Sequence, residues 1–252
     1  MKKSTLTASL FVVSLAAVVY MHIGWGNKPS EKCFTVGVSP DYPPFEFKKN
    51  GELAGFDIDL AKLLEKELGT KVCFKEMDYY ALIPSLKAGH IDMIISSMAP
   101  TPEREKCISF SSIYFKSKFA FFFMSKNSVE PSVKKMASKK IGVQTGSTME
   151  QFAKTLDGVH VVSLSSNLIL LQELKIGNLD FVLLENCQAK SISEKMPGIF
   201  CIAVDGASEV ESQGCSVALQ KDSPHLVLVN EALKKLEEDG KMKILIKKWF
   251  EV

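Results

Sequence analysis

The order of strands and helices between residues 33 and 95 constrains the fold of this chain more than any other feature. Apolar runs predict three strands, and two segments with apolar residues at helical spacing lie between them. The sequence predicts strands at 33–38, 72–77 and 91–95, and helices at 58–68 and 79–88. Strands that alternate with helices through short loops indicate a parallel sheet with helices on its faces. The predicted fold class is therefore α/β.

The third of these strands leads into a corner that could bind an anion. A hydroxyl-rich loop, Ser96-Ser97-Met98-Ala99, follows it, and Thr101-Pro102-Glu103-Arg104 then opens a helix. Thr101 is a favourable N-cap, and Pro102 fits the first helical position. Free backbone N–H groups at such a corner, with Arg104 one turn away, suit a carboxylate. The alternative is a polar loop with a solvated arginine.

A second unit of the same kind begins near residue 124. The strand 140–144 ends at Gln144 and leads into Thr145-Gly146-Ser147-Thr148, which opens another helix. A later strand delivers Glu185 at its carboxyl end. Ligands of such sheets bind beyond the carboxyl ends of the strands, so the two corners could face each other across a cleft. The C-terminal helices bring no strands of their own, and we expect them to dock onto a sheet already formed.

The composition excludes several classes of protein. With 252 residues, 46% apolar residues and 24% charged residues, the chain is an ordinary globular protein of one large or two modest domains. The net charge is +2, and no basic stretch interleaved with aromatics indicates nucleic-acid binding. The four histidines and six cysteines are scattered and form no Cys-x-x-Cys pair. We therefore expect no metal site and no cofactor.

Residues 1–26 have the layout of a secretory signal peptide. Met1-Lys2-Lys3 is positively charged, an apolar run from Leu6 to Tyr20 follows, and Gly24-Trp25-Gly26 offers a cleavage site. An uncleaved membrane anchor is the alternative. Export would make the cysteines candidates for disulfides. Cys33 and Cys73 each open a predicted strand, so they are either bridged or, like the others, buried free thiols.

The polar groups at the two corners describe a receptor for a zwitterion. Arg104 can hold a carboxylate through two parallel hydrogen bonds, and Glu185 can accept bonds from an ammonium group. Tyr42, on a proline-rich loop, and Phe56, before a helix capped by Asp57, can stack on a side chain and favour a cationic one. An α-amino acid satisfies these requirements. The alternative is an enzyme with Glu185 as general acid, although no nucleophile motif or phosphate-binding glycine loop accompanies it.

At these residues the sequence resembles the polar amino-acid-binding proteins of bacterial ABC importers, the family 3 solute-binding proteins. The resemblance covers residues 33–250, and its strength lies in the order and spacing of several short motifs. These motifs are Tyr42-Pro43-Pro44-Phe45, Gly55-Phe56-Asp57-Ile58-Asp59-Leu60, Leu82-Ile83-Pro84-Ser85-Leu86, Ser96 through Arg104, Gly146-Ser147-Thr148 and Leu179-Asp180.

The resemblance implies a two-lobed periplasmic-binding-protein fold, or Venus flytrap, in which each lobe is a mostly parallel sheet flanked by helices. The chain would cross between the lobes twice. Lobe 1 would comprise residues 31–121 and 221–252, and lobe 2 residues 122–220. Ligand binding would close the lobes by hinge motion, and a permease of the inner membrane would recognise the closed form. The resemblance also implies a monomeric periplasmic protein that is not an enzyme.

The family's binding residues map onto this sequence with three departures. Its carboxylate-binding arginine corresponds to Arg104, its acid to Glu185, and its stacking aromatics to Tyr42 and Phe56. Ser39 replaces a residue that is often acidic in members that bind cationic side chains, Ala99 replaces a hydroxyl residue, and Gln144 meets the ligand side chain. The full expected site is Ser39, Tyr42, Phe56, Ser96, Ser97, Met98, Ala99, Arg104, Gln144, Ser147, Thr148 and Glu185.

The identity of the ligand is a narrower choice. The missing acid at Ser39 argues against arginine or lysine, whereas the aromatic pair and the longer reach of Glu185 favour one of them. We expect arginine, with glutamine or another polar amino acid as the alternative. A receptor domain of the same family and a lyase or dehydratase on the same fold are the remaining alternatives.

Overall fold

The computed structural model describes residues 33–124, 136–204 and 214–250, and the predicted signal peptide lies outside these ranges. The first part of the chain forms β1 (Phe34–Val38), β2 (Asp41–Tyr42), β3 (Glu46–Lys49), β4 (Glu52–Ala54), α1 (Phe56–Leu68), β5 (Val72–Glu76), α2 (Tyr79–Lys87), β6 (Met93–Ile94), α3 (Pro102–Glu105) and β7 (Ile108–Phe115). The rest forms β8 (Phe119–Met124), β9 (Lys140–Gln144), α4 (Thr148–Ala153), β10 (His160–Leu164), α5 (Asn167–Ile176), β11 (Phe181–Glu185), α6 (Ala189–Lys195), β12 (Ile199–Ala203), β13 (Cys215–Gln220), α7 (His225–Glu238) and α8 (Lys241–Phe250).

The first five-stranded sheet confirms the parallel arrangement predicted for the N-terminal half. Its strand order is β5-β1-β6-β13-β7. Strands β5 and β6 both pair with β1 in parallel, so their carboxyl ends lie at one edge. Strand β13 returns antiparallel between β6 and β7. We call this sheet, the helices packed on it and the small antiparallel sheet β2-β3-β4, which contacts α1, the first lobe.

The second five-stranded sheet repeats this plan in the order β10-β9-β11-β8-β12. Strands β10 and β11 pair with β9 in parallel, whereas β8 runs antiparallel to β11 and β12. We call this sheet and its helices the second lobe. The chain enters the second lobe between β7 and β8 and is back in the first lobe at β13, so the predicted two-lobed α/β fold is confirmed.

Two details of the predicted organisation need correction. The sheets are mixed rather than mostly parallel, because in each of them half of the strand pairings are antiparallel. The predicted lobe boundaries also divide two strands from their sheets: residues 119–121 belong to β8 of the second sheet, and residues 215–220 form β13 of the first. Strand β13 pairs with β6 and β7 and so completes the first sheet. The order of elements along the chain does not reveal this pairing.

A disulfide and the C-terminal helices hold the first lobe together. Cys33 and Cys73, at the starts of β1 and β5, are joined by a disulfide, which confirms one of the two alternatives for these cysteines. Helices α7 and α8 dock on the first lobe as expected: Trp249 donates its Nε1–H to Asp59 of α1 over 3.0 Å, and Phe250 stacks on Phe115. In the described ranges, no helix is both long and apolar enough to cross a membrane.

Candidate functional site

A cavity of about 440 Å³, counting its opening to solvent, lies where the two lobes meet. Nine of the twelve predicted site residues line it: Ser39, Tyr42, Ser96, Ser97, Ala99, Gln144, Ser147, Thr148 and Glu185. The remaining lining residues are Glu46, Tyr79, Met149, Asn167, Leu183 and Leu184. Because both sheets present the carboxyl ends of parallel strands here, the position of the cavity follows the general rule for such sheets.

A chain of hydrogen bonds fixes the first-lobe wall of the cavity. The Ser96 hydroxyl donates to Oε1 of Glu46 over 2.7 Å and accepts the backbone N–H of Ser39 over 3.0 Å. All three residues are buried, with at most 4% of their surface exposed. The corner after β6 is thereby joined to β3 and to the loop after β1, so these segments hold one another in position.

Asp57 also holds the corner after β6 in position. Its Oδ2 accepts the backbone N–H of Ser97 over 2.6 Å, and its Oδ1 accepts the hydroxyl of Tyr114 over 3.0 Å. These bonds support Ser97 in a left-handed conformation, with φ of 48°, that a serine rarely adopts. Burial raises the pKa of Asp57 to about 6, because removal from water disfavours the charged form.

Glu46 lies next to Asp57 and is the second buried acid of this wall. Burial and the neighbouring Asp57 raise the pKa of Glu46 well above its ordinary value.

The second-lobe wall consists of two helix starts and the end of β11. Ser147 caps α4 by accepting the N–H of Glu150 over 3.1 Å, so its hydroxyl serves the helix, while Thr148 begins that helix at the cavity. Glu185 ends β11 with only 3% of its surface exposed. Its carboxylate accepts a backbone N–H of the following turn and lies 3.5 Å from the Ser97 hydroxyl, which donates to it from the other lobe.

Arg104 lies beside the cavity but is not part of its wall. It is the only arginine in a sequence that otherwise uses lysine. Its Nη1 donates to the carbonyl of Ala99 over 2.6 Å and its Nη2 to the carbonyl of Gly146 over 2.9 Å, so it joins the two lobes. A guanidinium has five N–H groups, and these two bonds leave donors that could serve a carboxylate. The Thr101 cap and Pro102 start predicted for its helix are confirmed.

Asp41 makes the most extensive polar contact between the lobes. Its carboxylate accepts the backbone N–H of Asn167 over 2.7 Å, the Asn167 side-chain amide over 3.2 Å and the Gln144 amide over 3.4 Å. Burial raises its pKa despite these bonds, which shows that desolvation outweighs them. The carboxylate also lies at the positive end of the ten-residue helix α5.

Three buried polar atoms on the cavity wall have no hydrogen-bond partner among the described residues. They are the Tyr42 hydroxyl, Oε2 of Glu46 and Oδ1 of Asn167. The orientation of the Asn167 amide follows from its Nδ2, which must donate to Asp41. Buried polar atoms normally have a partner, and these three belong to residues that line one cavity. The wall is therefore built to meet a polar ligand.

Three predicted site residues lie elsewhere. Gly55, with φ of 133°, is the N-cap of α1, which starts two residues earlier than expected, so Asp57 is not the N-cap and Phe56 turns into the core. Phe56 is fully buried against Phe45 and Phe115 rather than at the cleft. Met98 is also fully buried, and Arg104 stands behind the wall as described.

Three polar residues of the cavity wall were not predicted from the sequence, and two of them follow the rule that ligands bind at the carboxyl ends of parallel strands. Tyr79 and Asn167 each begin a helix directly after a parallel strand, at the edge where ligands bind. Glu46 is the third. It follows the Pro43-Pro44 loop, and the sequence signal that could have indicated it is an acidic residue within an apolar stretch. In the described ranges, no cluster of three or more histidine, cysteine, aspartate or glutamate side chains could hold a metal ion.

The family model for bacterial extracellular solute-binding proteins, family 3, matches residues 34–252. The chain is also 32% identical to the arginine-binding extracellular protein ArtP of Bacillus subtilis (strain 168), over 99% of this chain and 98% of that protein. These matches extend across both lobes.

Several solved structures have the same fold. The substrate-binding protein of an amino acid ABC transporter is 34% identical, with a TM-score of 0.82 over 88% of this chain and all of that chain. An ancestral arginine-binding protein bound to arginine is 36% identical, with a TM-score of 0.81 over 86% and 98%. The ancestral amino acid-binding protein AncCDT-1, a precursor of cyclohexadienyl dehydratase, is 32% identical, with a TM-score of 0.79 over 86% and 95%.

The contacts of Asp41 predict that Asp41→Asn weakens the association of the lobes. Asparagine has one acceptor oxygen for the donors that converge here, and its NH₂ group would face them. We expect a loss of about 1 kcal/mol in favour of the lobe-separated form, measured as a larger radius of gyration in small-angle X-ray scattering. Asp157→Asn, the same change at an exposed position, is the control. Scattering curves that coincide for Asp41→Asn and the unchanged protein would contradict this role.

Proposed function

The chain belongs to the bacterial extracellular solute-binding proteins of family 3, the amino-acid-binding proteins of ABC transporters, and from this premise we propose that it binds arginine. The cavity between the lobes is the proposed site. We further propose that the bound amino acid is delivered to an ABC permease.

The observation that carries this proposal is the pair of unpartnered acceptor oxygens on the cavity wall, on Glu46 and Asn167. A ligand must bring N–H donors to satisfy them. Guanidinium has five N–H groups and no acceptor, so it can serve both oxygens without creating a new unpaired atom. The amide of glutamine brings two donors but also an oxygen that needs a donor in turn. This difference favours arginine over glutamine.

The two ends of the backbone of an amino acid find complementary groups near the same cavity. Arg104 supplies the positive charge for the α-carboxylate, with help from the N–H groups at the start of α4. Glu185 supplies the negative charge for the α-ammonium group. Tyr42 lines the cavity with its ring stacked on Phe45, and Tyr79 is a second aromatic residue that lines it. An aromatic face at this position attracts a cationic side chain.

Calorimetry against the twenty amino acids, after unfolding and refolding to remove carried-over ligand, tests the proposal. Arginine is expected to bind tightest, with lysine and glutamine at least tenfold weaker. If glutamine binds more tightly than arginine, the proposal that arginine is the ligand is wrong, but the assignment as an amino-acid-binding protein stands. No binding by any amino acid would contradict the assignment of the site.

Arg104→Ala is expected to abolish the binding of amino acids. Loss of the charged hydrogen bonds to the carboxylate should weaken affinity at least about 100-fold. Lys106→Ala, the removal of an exposed positive charge two residues away, is the matched control and should bind normally. A thermal melt verifies that each variant is folded. Unchanged affinity in folded Arg104→Ala would exclude this residue from the site.

The cellular setting remains part of the proposal. The Cys33–Cys73 disulfide fits an exported protein, since such bonds persist in oxidising compartments. We propose that residues 1–26 direct export to the periplasm, that the protein acts as a monomer, and that ligand binding draws the lobes together about the two crossings. Because β8 belongs to the second sheet and β13 to the first, we propose that the boundaries between the lobes lie at the crossings before β8 and before β13.

A dehydratase is the second candidate, favoured by the similarity to AncCDT-1 and by the burial of Glu185 in the cavity. A general acid there would need a substrate with a leaving group. If the protein is a binding protein, Glu185→Gln should weaken arginine binding about tenfold, and the ligand should be recovered unchanged. If the unchanged protein instead converts a ligand, and Glu185→Gln stops this turnover with affinity intact, the protein is an enzyme.

A further inference from the structure

A surface groove, separate from the cavity, also takes its two sides from different lobes. One side consists of residues 47–50 in the hairpin of β3 and β4, with Trp249 and Phe250 of α8, and the other consists of residues from the segment 187–195 around α6. We call it the lysine groove. Its volume is about 1170 Å³, counting its open side, compared with about 440 Å³ for the cavity. The groove and the cavity have no lining residue in common.

Aromatic rings provide the apolar surface of the lysine groove. Phe47 and Trp249 pack edge to face, with ring centroids 5.9 Å apart, and Phe250 follows Trp249 at the end of α8. All three side chains are half-buried. Part of their ring surface is therefore open to a partner, and aromatic rings are among the side chains that contribute most to protein interfaces.

Positive charge predominates around these rings. Four exposed lysines and one glutamate are the charged residues among the described lining residues: Lys48, Lys49, Lys190, Lys195 and Glu194. Lys48 shares its charge with Glu76 outside the groove, at 2.8 Å. The lining nevertheless carries more positive than negative charge, so its electrostatic complement is an acidic partner.

Contacts between the lobes set the width of the lysine groove. Nζ of Lys195, on α6, lies 4.7 Å from the centre of the Phe47 ring on β3. The Gln188 side chain donates from Nε2 to the carbonyl of Pro43 over 3.0 Å, which joins the same two segments. A change in the relative position of the lobes therefore changes the distance between the two sides. A partner that contacts both sides binds the associated lobes better than the separated ones.

We propose that the lysine groove docks an acidic segment of a partner protein that also carries an aromatic side chain, and that this docking depends on lobe association. Carboxylates would pair with the lysines, and the aromatic ring would pack on Phe47 and Trp249. The volume suits several residues of a peptide. A flat lipid surface would meet the lysines at the rim but not the rings between them. The link to bound arginine rests on the proposed function.

A blocked peptide with two acidic residues on each side of a phenylalanine is the probe, and calorimetry on the full chain measures its dissociation constant. Lys195→Glu should weaken binding about tenfold, because it replaces attraction by repulsion. Lys49→Gln, on the other side of the groove, should weaken it about threefold. Lys175→Glu reverses an exposed lysine in the last turn of another helix of the second lobe, and this control should bind normally. A peptide with alanine for phenylalanine should bind about threefold more weakly.

The dependence on lobe association provides a second measurement. Bound arginine favours the associated lobes in the proposed function, so it should tighten peptide binding, and the peptide should tighten arginine binding by the same factor. Asp41→Asn, which is expected to weaken lobe association, should weaken peptide binding without arginine. If the peptide binds equally with and without arginine, in a protein that does bind arginine, the inference is overturned.

The outcomes separate this inference from the proposed function. If no amino acid binds but the peptide does, with the expected losses in Lys195→Glu, Lys49→Gln and Asp41→Asn, the proposed function fails and the lysine groove stands. If arginine binds but the peptide does not, or if Lys175→Glu weakens the peptide as much as Lys195→Glu, only the inference is overturned. Tighter binding of phosphatidylglycerol vesicles or of oligothymidine than of the peptide would also overturn it, because a different class of partner would then fit the lysines.

Discussion

The burial of two acids beside each other, Glu46 and Asp57, is the interaction on which the geometry of the cavity depends. Burial raises the pKa of both acids, because removal from water disfavours their charged forms. Their oxygens accept hydrogen bonds from the corner after β6: the Ser96 hydroxyl donates to Glu46, and the backbone N–H of Ser97 donates to Asp57. The corner keeps its left-handed Ser97 because these bonds offset the backbone strain. Glu46 and Asp57 therefore hold this part of the cavity wall in position.

The cavity exists only where the lobes meet, and its polar groups are divided between them. The first lobe contributes Glu46 and the serine corner, and the second contributes Asn167 and Glu185. A ligand that bridges these groups binds the associated lobes better than the separated ones, and it shifts the equilibrium by that difference in affinity. The bonds of Asp41 to α5 and of Arg104 to Gly146 act in the same direction without a ligand. The proposed closure would therefore be stabilised by protein contacts and ligand contacts together.

Local rules were sufficient to predict much of this architecture from the sequence. The alternation of strands and helices gave the parallel cores of both sheets, and Thr101 with Pro102 gave the start of α3. The rule for carboxyl ends, together with the family resemblance, led to nine of the residues that line the cavity. Local rules failed where tertiary pairing decides: β13 crosses back to fill the first sheet, and Gly55 turns Phe56 into the core. The corner after β6 connects Glu46 of β3 to Asp57 of α1 through Ser96 and Ser97, and no spacing along the chain indicates this connection.

The choice of arginine at position 104, in a chain that uses lysine everywhere else, follows from the geometry around it. Two carbonyl oxygens from different lobes, those of Ala99 and Gly146, accept from Nη1 and Nη2 of the same guanidinium. A lysine ammonium is a single point charge and could not reach both oxygens while still serving a carboxylate, whereas the planar guanidinium presents its donors in a fixed fork. Arg104 can therefore hold the lobes together and provide the charge for an α-carboxylate at the same time. In the proposed closure around an amino acid, this dual role would make carboxylate binding and lobe association mutually dependent.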